Sequence, residues 1–191
     1  MERAGQTAAG QRLLAAASEL FYRHGINAIG VAVIAETAGV TKKTLYDCYG
    51  SKNRLVVAYL ENRHTRWWNY LEQCLAEAEP PRVLALYRAY LDHPDLDLTR
   101  GCSFLNAAAE LPTEHPGVTV IRQHKADVRR KLAELFAEDQ PQWNDQDAVA
   151  EHLFLLLEGA VAQSGIDGDT TYLRRAETLA SALLTPKRST R

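Results

Sequence analysis

The residues best suited to chemistry stand close together between positions 41 and 52. Lys42, Lys43, Tyr46 and Tyr49 fall at i, i+1, i+4 and i+7, which places them along one flank of a short helix. Two ammonium groups and two phenol hydroxyls on one flank suit hydrogen bonds to phosphate oxygens and base edges, the contacts a helix makes in the major groove of DNA. Thr41, a cap for that helix, and Thr44 add hydroxyls at its start. Lys52 follows in the first turn of the next helix, where its charge stands beside free backbone amides and favours a phosphate.

A helix-turn-helix must hold that flank outward. Such a motif needs a small residue where two helices cross, a turn residue that tolerates positive φ, and apolar residues that pin the second helix. In VIAETAGVTKKTLYDCYGSK, residues 33–52, Ala35, Gly39, Val40 and Leu45 meet those needs in order. Upstream, Leu13, Leu14, Ala17, Leu20 and Phe21 predict a helix that Thr7 caps and Gly25 ends. Val31, Ile34, Ala35 and Ala38 predict a second, and Thr41 opens a third that runs to about Cys48. Ser51 starts a fourth, long enough to approach Pro80-Pro81. Ile29, Gly30, Ala32 and Val33 leave the second helix without a hydroxyl cap or a polar outer face. DNA contact is therefore expected from the third helix and Lys52.

Charge divides the chain in the same place. Residues 1–55 carry seven Lys/Arg against four Asp/Glu, whereas the remainder carries 15 against 20. A basic head on an acidic body suits a protein that meets a polyanion only through its head. In the body, prolines at 80, 81, 94, 112, 116 and 141 and glycines at 165 and 168 separate helical segments 82–92, 101–111, 117–138, 145–164 and 170–184. LFLLLEGAVA, residues 153–162, is apolar nearly all round, so the body itself or a second subunit must cover it. The PKRSTR tail is predicted to be disordered.

The longest apolar stretches are far shorter than the ~20 residues of a membrane span. The opening MERAGQTAAG has no apolar region of a secretory signal, so the cytoplasm is the expected compartment. Three cysteines without CxxC spacing do not form a disulfide or zinc framework, and six histidines show no HExxH. No nucleophile motif or phosphate-binding glycine loop is present, so neither catalysis, a cofactor nor a metal is expected. Trp67, Cys102, Asn106, His124, Phe154 and Glu158 are polar or aromatic groups within amphipathic or apolar helices, and are the candidate anchors for a small-molecule ligand.

The lead-in LFYRHG, the core IAETAGVTKKTLY and the exit YGSKNRL, within residues 8–60, resemble the DNA-binding domain of the tetracycline-repressor (TetR) family of bacterial regulators. That resemblance implies an all-α protein: a three-helix DNA-binding head, residues 1–55, with its helix-turn-helix at about 29–48, and a larger helical effector-binding and dimerisation body, residues 56–185, before the 186–191 tail. It also implies a homodimer formed by the last two long helices, a palindromic double-stranded operator, and release of a repressor from DNA by a small molecule, here expected to be apolar or aromatic. Two heads must then sit ~34–36 Å apart to enter successive major grooves. The alternatives are a ligand-independent regulator, or a small-molecule-binding helical dimer with weak or altered DNA binding.

Overall fold

The computed structural model describes residues 7–93 and 100–184; the expected 186–191 tail lies outside them. Among the described residues the chain forms nine α-helices and one 3-10 turn, and no strand. They divide into two compact units, one running up to Thr65 and including Ser103–Gln123, the other made of Arg66–Cys102 and the chain from His124 onward.

The first unit begins with α1 (Ala8–His24), α2 (Val31–Thr37) and α3 (Lys42–Tyr49), followed by the start of α4 (Lys52–Ala76). Each boundary has a local cause. The Thr7 hydroxyl accepts from the Gly10 amide at 3.1 Å, and the Thr41 hydroxyl accepts from Thr44 at 3.1 Å, so each satisfies one of the free donors that open a helix. Ser51 does the same for Arg54 at 3.1 Å. Gly30 opens α2 with no side-chain cap. Between α2 and α3, Gly39 takes φ +63°, a conformation that Cβ-bearing residues resist. Arg12 of α1 donates to the Ala38 carbonyl at 3.2 Å and ties that turn to the first helix. Leu13, Ala17, Ile34, Ala35, Leu45 and Leu55 form the interior of the head.

The same unit contains α6 (Ser103–Glu110) and the first part of α7 (Gly117–Asp139). Glu110, the last residue of α6, accepts a hydrogen bond from the Asn27 amide at 2.8 Å, while the Asn27 side chain donates to the Glu110 carbonyl at 3.0 Å. The loop that leads into α2 is thereby fastened to α6.

The second unit holds the rest of α4 and α7, the 3-10 turn Arg82–Leu84, α5 (Ala85–Leu91), α8 (Gln146–Asp167) and α9 (Thr171–Leu184). Tyr87 of α5 is fully buried and donates to the Leu153 carbonyl of α8 at 2.7 Å. Two boundaries differ from the sequence expectation. Helix α4 ends at Ala76, short of the Pro80-Pro81 pair. Gly165, expected to stop α8, lies inside it, and the stop is Gly168 at φ +73°. The role of Gly165 is close approach: a Cβ built on Gly101 would lie 2.8 Å from the Gly165 Cα, and one on Gly165 would lie 2.9 Å from the Gly101 Cα.

Gly101 also has φ +66°, so Gly101→Ala would combine a backbone clash with left-handed strain. A loss of about 2–4 kcal/mol is expected in urea unfolding of the variant. A loss under about 0.5 kcal/mol would show that the two backbones separate without cost.

Candidate nucleic-acid interface and buried polar cluster

Burial of Leu45 fixes the rotation of α3. With Leu45 inward, Lys42, Lys43, Tyr46 and Asp47 are exposed on its other side, and Tyr46 retains 48 % of its accessible surface. Thr41 is exposed and Thr44 half-buried at the head of the helix; the two hydroxyls lie 2.9 Å apart. Lys43 Nζ donates to the Asp47 carboxylate at 2.7 Å, and that hydrogen bond, with the carboxylate charge, raises the lysine pKa. Asp47 is the member of this face that sequence reasoning missed, although its i,i+4 spacing from Lys43 is the signature of a helical ion pair.

Two expected contacts are turned inward. The Tyr49 hydroxyl donates to the Gly10 carbonyl of α1 at 2.8 Å; its pKa is raised, first by burial and then by neighbouring Cys48. Lys52 Nζ donates to the Ile26 carbonyl at 2.7 Å and lies 5.9 Å from the centre of the Phe21 ring. Burial lowers the Lys52 pKa against the opposing pull of Glu110. Both side chains brace α3 and α4 against α1 and the loop after it, and neither extends the flank of Lys42, Lys43 and Tyr46. The outer side of α2 exposes Ala32, Val33, Glu36 and Thr37, an apolar and acidic surface with no cation.

A second set of polar groups lies within the other unit. Lys125 of α7 pairs with the Glu158 carboxylate of α8 at 2.7 Å, with each side chain only 18 % exposed. Cys102 Sγ lies 3.9 Å from the same ammonium, and the fully buried Tyr90 hydroxyl is close to it. Burial works against the charge on Lys125, but Cys102, Tyr90, the Glu158 charge and the Glu158 hydrogen bond outweigh it and hold the pKa above the usual lysine value. The Glu158 carboxylate at 2.7 Å favours the ammonium form of Lys125. An aromatic wall flanks this pair: the Trp67 ring centre lies 5.2 Å from that of Tyr90 and 5.3 Å from that of His124, with the His124 side chain buried. Four of the six candidate ligand anchors, Trp67, Cys102, His124 and Glu158, therefore belong to one neighbourhood with Tyr90 and Lys125. Asn106 belongs to the first unit, and Phe154 is half-buried on α8. Among the described residues, no group of three or more His, Cys, Asp or Glu side chains is placed to hold a metal ion.

Helices α8 and α9 carry the largest apolar exposure. Leu155 is 58 % exposed and Leu179 55 %, and Tyr172 and Leu183 are exposed beside them. A groove of about 400 Å³ runs between the two helices, lined by Leu155, Gly159, Tyr172, Arg175, Ala176 and Leu179 among others.

A helix-turn-helix with an exposed cationic flank, set among described residues that form helices and no strand, defines a DNA-binding transcriptional regulator. Its family follows from comparison: residues 13–59 match the model of the tetR family of bacterial regulatory proteins, and residues 80–180 match that of the tetracyclin repressor-like C-terminal domain. The chain belongs to the TetR family. It is similar to the solved structure of a TetR-family transcriptional regulator from Streptomyces coelicolor, with 28 % identity, a TM-score of 0.84, and coverage of 95 % of this chain and 96 % of that one. A TetR-type regulator from Streptomyces avermitilis has 30 % identity and a TM-score of 0.73 over 92 % of this chain and 98 % of that one. The HTH-type transcriptional activator FasR of Mycolicibacterium smegmatis is 46 % identical over 98 residues, 50 % of this chain and 42 % of that protein. The match thus spans less than half of FasR. No described helix is long and apolar enough to cross a membrane.

Removing one partner of a buried ion pair strands the other charge. Lys125→Met is therefore expected to cost about 3 kcal/mol in urea unfolding, and adding Glu158→Leu should recover most of that loss. Equal destabilisation by the single and double variants would mean that packing, and not the stranded carboxylate, sets the cost.

Proposed function

We propose that this regulator works in the cytoplasm as a homodimer on a palindromic operator, with residues 1–55 as its DNA-binding domain and residues 56–185 as its effector-binding and dimerisation domain. The observation that carries the reading is the apolar surface of α8 and α9, where Leu155 and Leu179 are more than half exposed around a groove. Apolar surface of this kind is stabilised by a partner, and a second copy of the same two helices supplies one with matching small and large residues. Thr41, Lys42, Lys43, Thr44 and Tyr46 make the DNA contacts in this reading, with Tyr49 and Lys52 holding them in place.

The effector is an apolar or aromatic small molecule, and the neighbourhood of Trp67, Cys102, His124 and Glu158 is its site. It binds better to a dimer whose heads are wrongly spaced for DNA and so shifts the population away from the operator. Near-complete release requires about 5.5 kcal/mol of such preference. The direction of regulation in this reading is repression. Activation is the second reading, favoured by the similarity to FasR, which is named as an activator. A reporter gene placed behind the operator separates the two by the sign of its response.

Sedimentation of the wild type should give a dimer at micromolar concentration, and Leu155→Glu combined with Leu179→Glu should give a folded monomer that loses palindrome binding. A wild-type monomer would contradict the reading. On the operator, Lys42→Ala should lower the slope of log K against log salt by roughly one, the signature of a lost phosphate contact. An unchanged slope would remove Lys42 from the interface.

A further inference from the structure

An acid on the DNA-facing flank of α3 needs an explanation. Asp47 is exposed beside Lys42, Lys43 and Tyr46, and a carboxylate there opposes the approach of a polyanion. Its ion pair with Lys43 adds little to the stability of the helix, because the two side chains are 84 % and 60 % exposed. The geometry of the pair is more informative. Lys43 Nζ and Asp47 Oδ2 are 2.7 Å apart, so the helix presents a donor and an acceptor side by side. The major-groove edge of a G·C pair presents the complement: the guanine O6 acceptor beside the cytosine N4 donor, joined by their own N–H···O bond at about 2.9 Å.

We infer that Lys43 and Asp47 act as one unit that reads a single G·C pair in each half-site, Lys43 donating to guanine O6 and N7 while Asp47 accepts from cytosine N4. The two residues are one helical turn apart, about 6 Å along the axis, and their side chains converge to one point. The order of donor and acceptor sets the selectivity. Reversal to C·G places the cytosine amino group against the ammonium and guanine O6 against the carboxylate, and A·T in the same frame places the adenine amino group and thymine O4 in those positions. Both are repulsive. T·A keeps the right order, but offers Lys43 one acceptor and a methyl group where guanine offers two acceptors. The expected ranking is G·C, then T·A, then the two reversed pairs. Asp47 is in this account a specificity-determining residue that gives up some general affinity for DNA in return for discrimination at one position.

The inference rests on the DNA-binding function of the chain and on α3 as its reading helix. The test is selection of bound duplexes from a random library by the full-length wild type, Asp47→Ala, Lys43→Ala and Lys42→Ala. The wild type should enrich a half-site with one position that prefers G·C over its reversal by roughly tenfold or more. Asp47→Ala and Lys43→Ala should both lose preference at that same position and keep the others, while Lys42→Ala binds more weakly without a change in any one preference. If Asp47→Ala selects the wild-type sequence with undiminished preference at every position, Asp47 only neutralises Lys43 and the inference fails. Loss at different positions in the two variants would equally overturn it. Enrichment of nothing by the wild type would overturn the DNA-binding reading itself, and the inference with it.

Discussion

The close crossing of α2 and α3 is the constraint on which the interface depends. Ala35 is only 2 % exposed, its carbonyl accepts from the Val40 amide across the turn at 2.9 Å, and Gly39 turns the chain with a positive φ that lets α3 leave in the required direction. A larger side chain at 35 would have to displace its buried neighbours, and a Cβ at 39 would strain the turn. Once those two residues set the crossing, burial of Leu45 sets the rotation of α3, and rotation alone decides which side chains are offered outward. Thr7, Thr41 and Ser51 then secure the helix starts. Tyr49 and Lys52 brace the arrangement through the Gly10 and Ile26 carbonyls.

The two units manage polar groups in opposite ways. On α3 the cations and Asp47 remain in water, where their mutual attraction is weak and a nucleic acid can compete for them. In the second unit Lys125 and Glu158 are mostly removed from water, and each is the other's principal charged neighbour. Burying a charge pair stabilises little in itself, but it makes any rearrangement that separates the pair costly.

Much of the head was legible in the sequence because its signals are local. A hydroxyl three residues ahead of an amide, a glycine after a periodic run and an alanine facing a crossing are all read within one or two turns of chain, and α1, α2 and α3 begin and end where those signals stand. What was not legible depends on distant partners. Tyr49 shares the flank of Lys42 by helical spacing, yet its hydroxyl finds a carbonyl 39 residues away. Gly165 carries the same stop signal as Gly168, and only the approach of Gly101 distinguishes a packing glycine from a terminating one. Lys125, within QHKADVRRK, has no local signal that sets it apart from the other cations, and its carboxylate partner lies 33 residues on. Sequence could place His124, Cys102, Trp67 and Glu158 on helices, but could not supply the register that brings them to one neighbourhood and leaves Asn106 in the other unit.

Methylation interference on the operator tests the central claim most directly, since dimethyl sulfate marks guanine N7 in the major groove and adenine N3 in the minor groove. If paired copies of α3 read successive major grooves, binding will be blocked by methylated guanines at symmetric positions about one helical turn apart, ~34–36 Å centre to centre. Interference confined to adenine N3, or to guanines in a single half-site, would contradict a dimer that reads DNA through the exposed flank of α3.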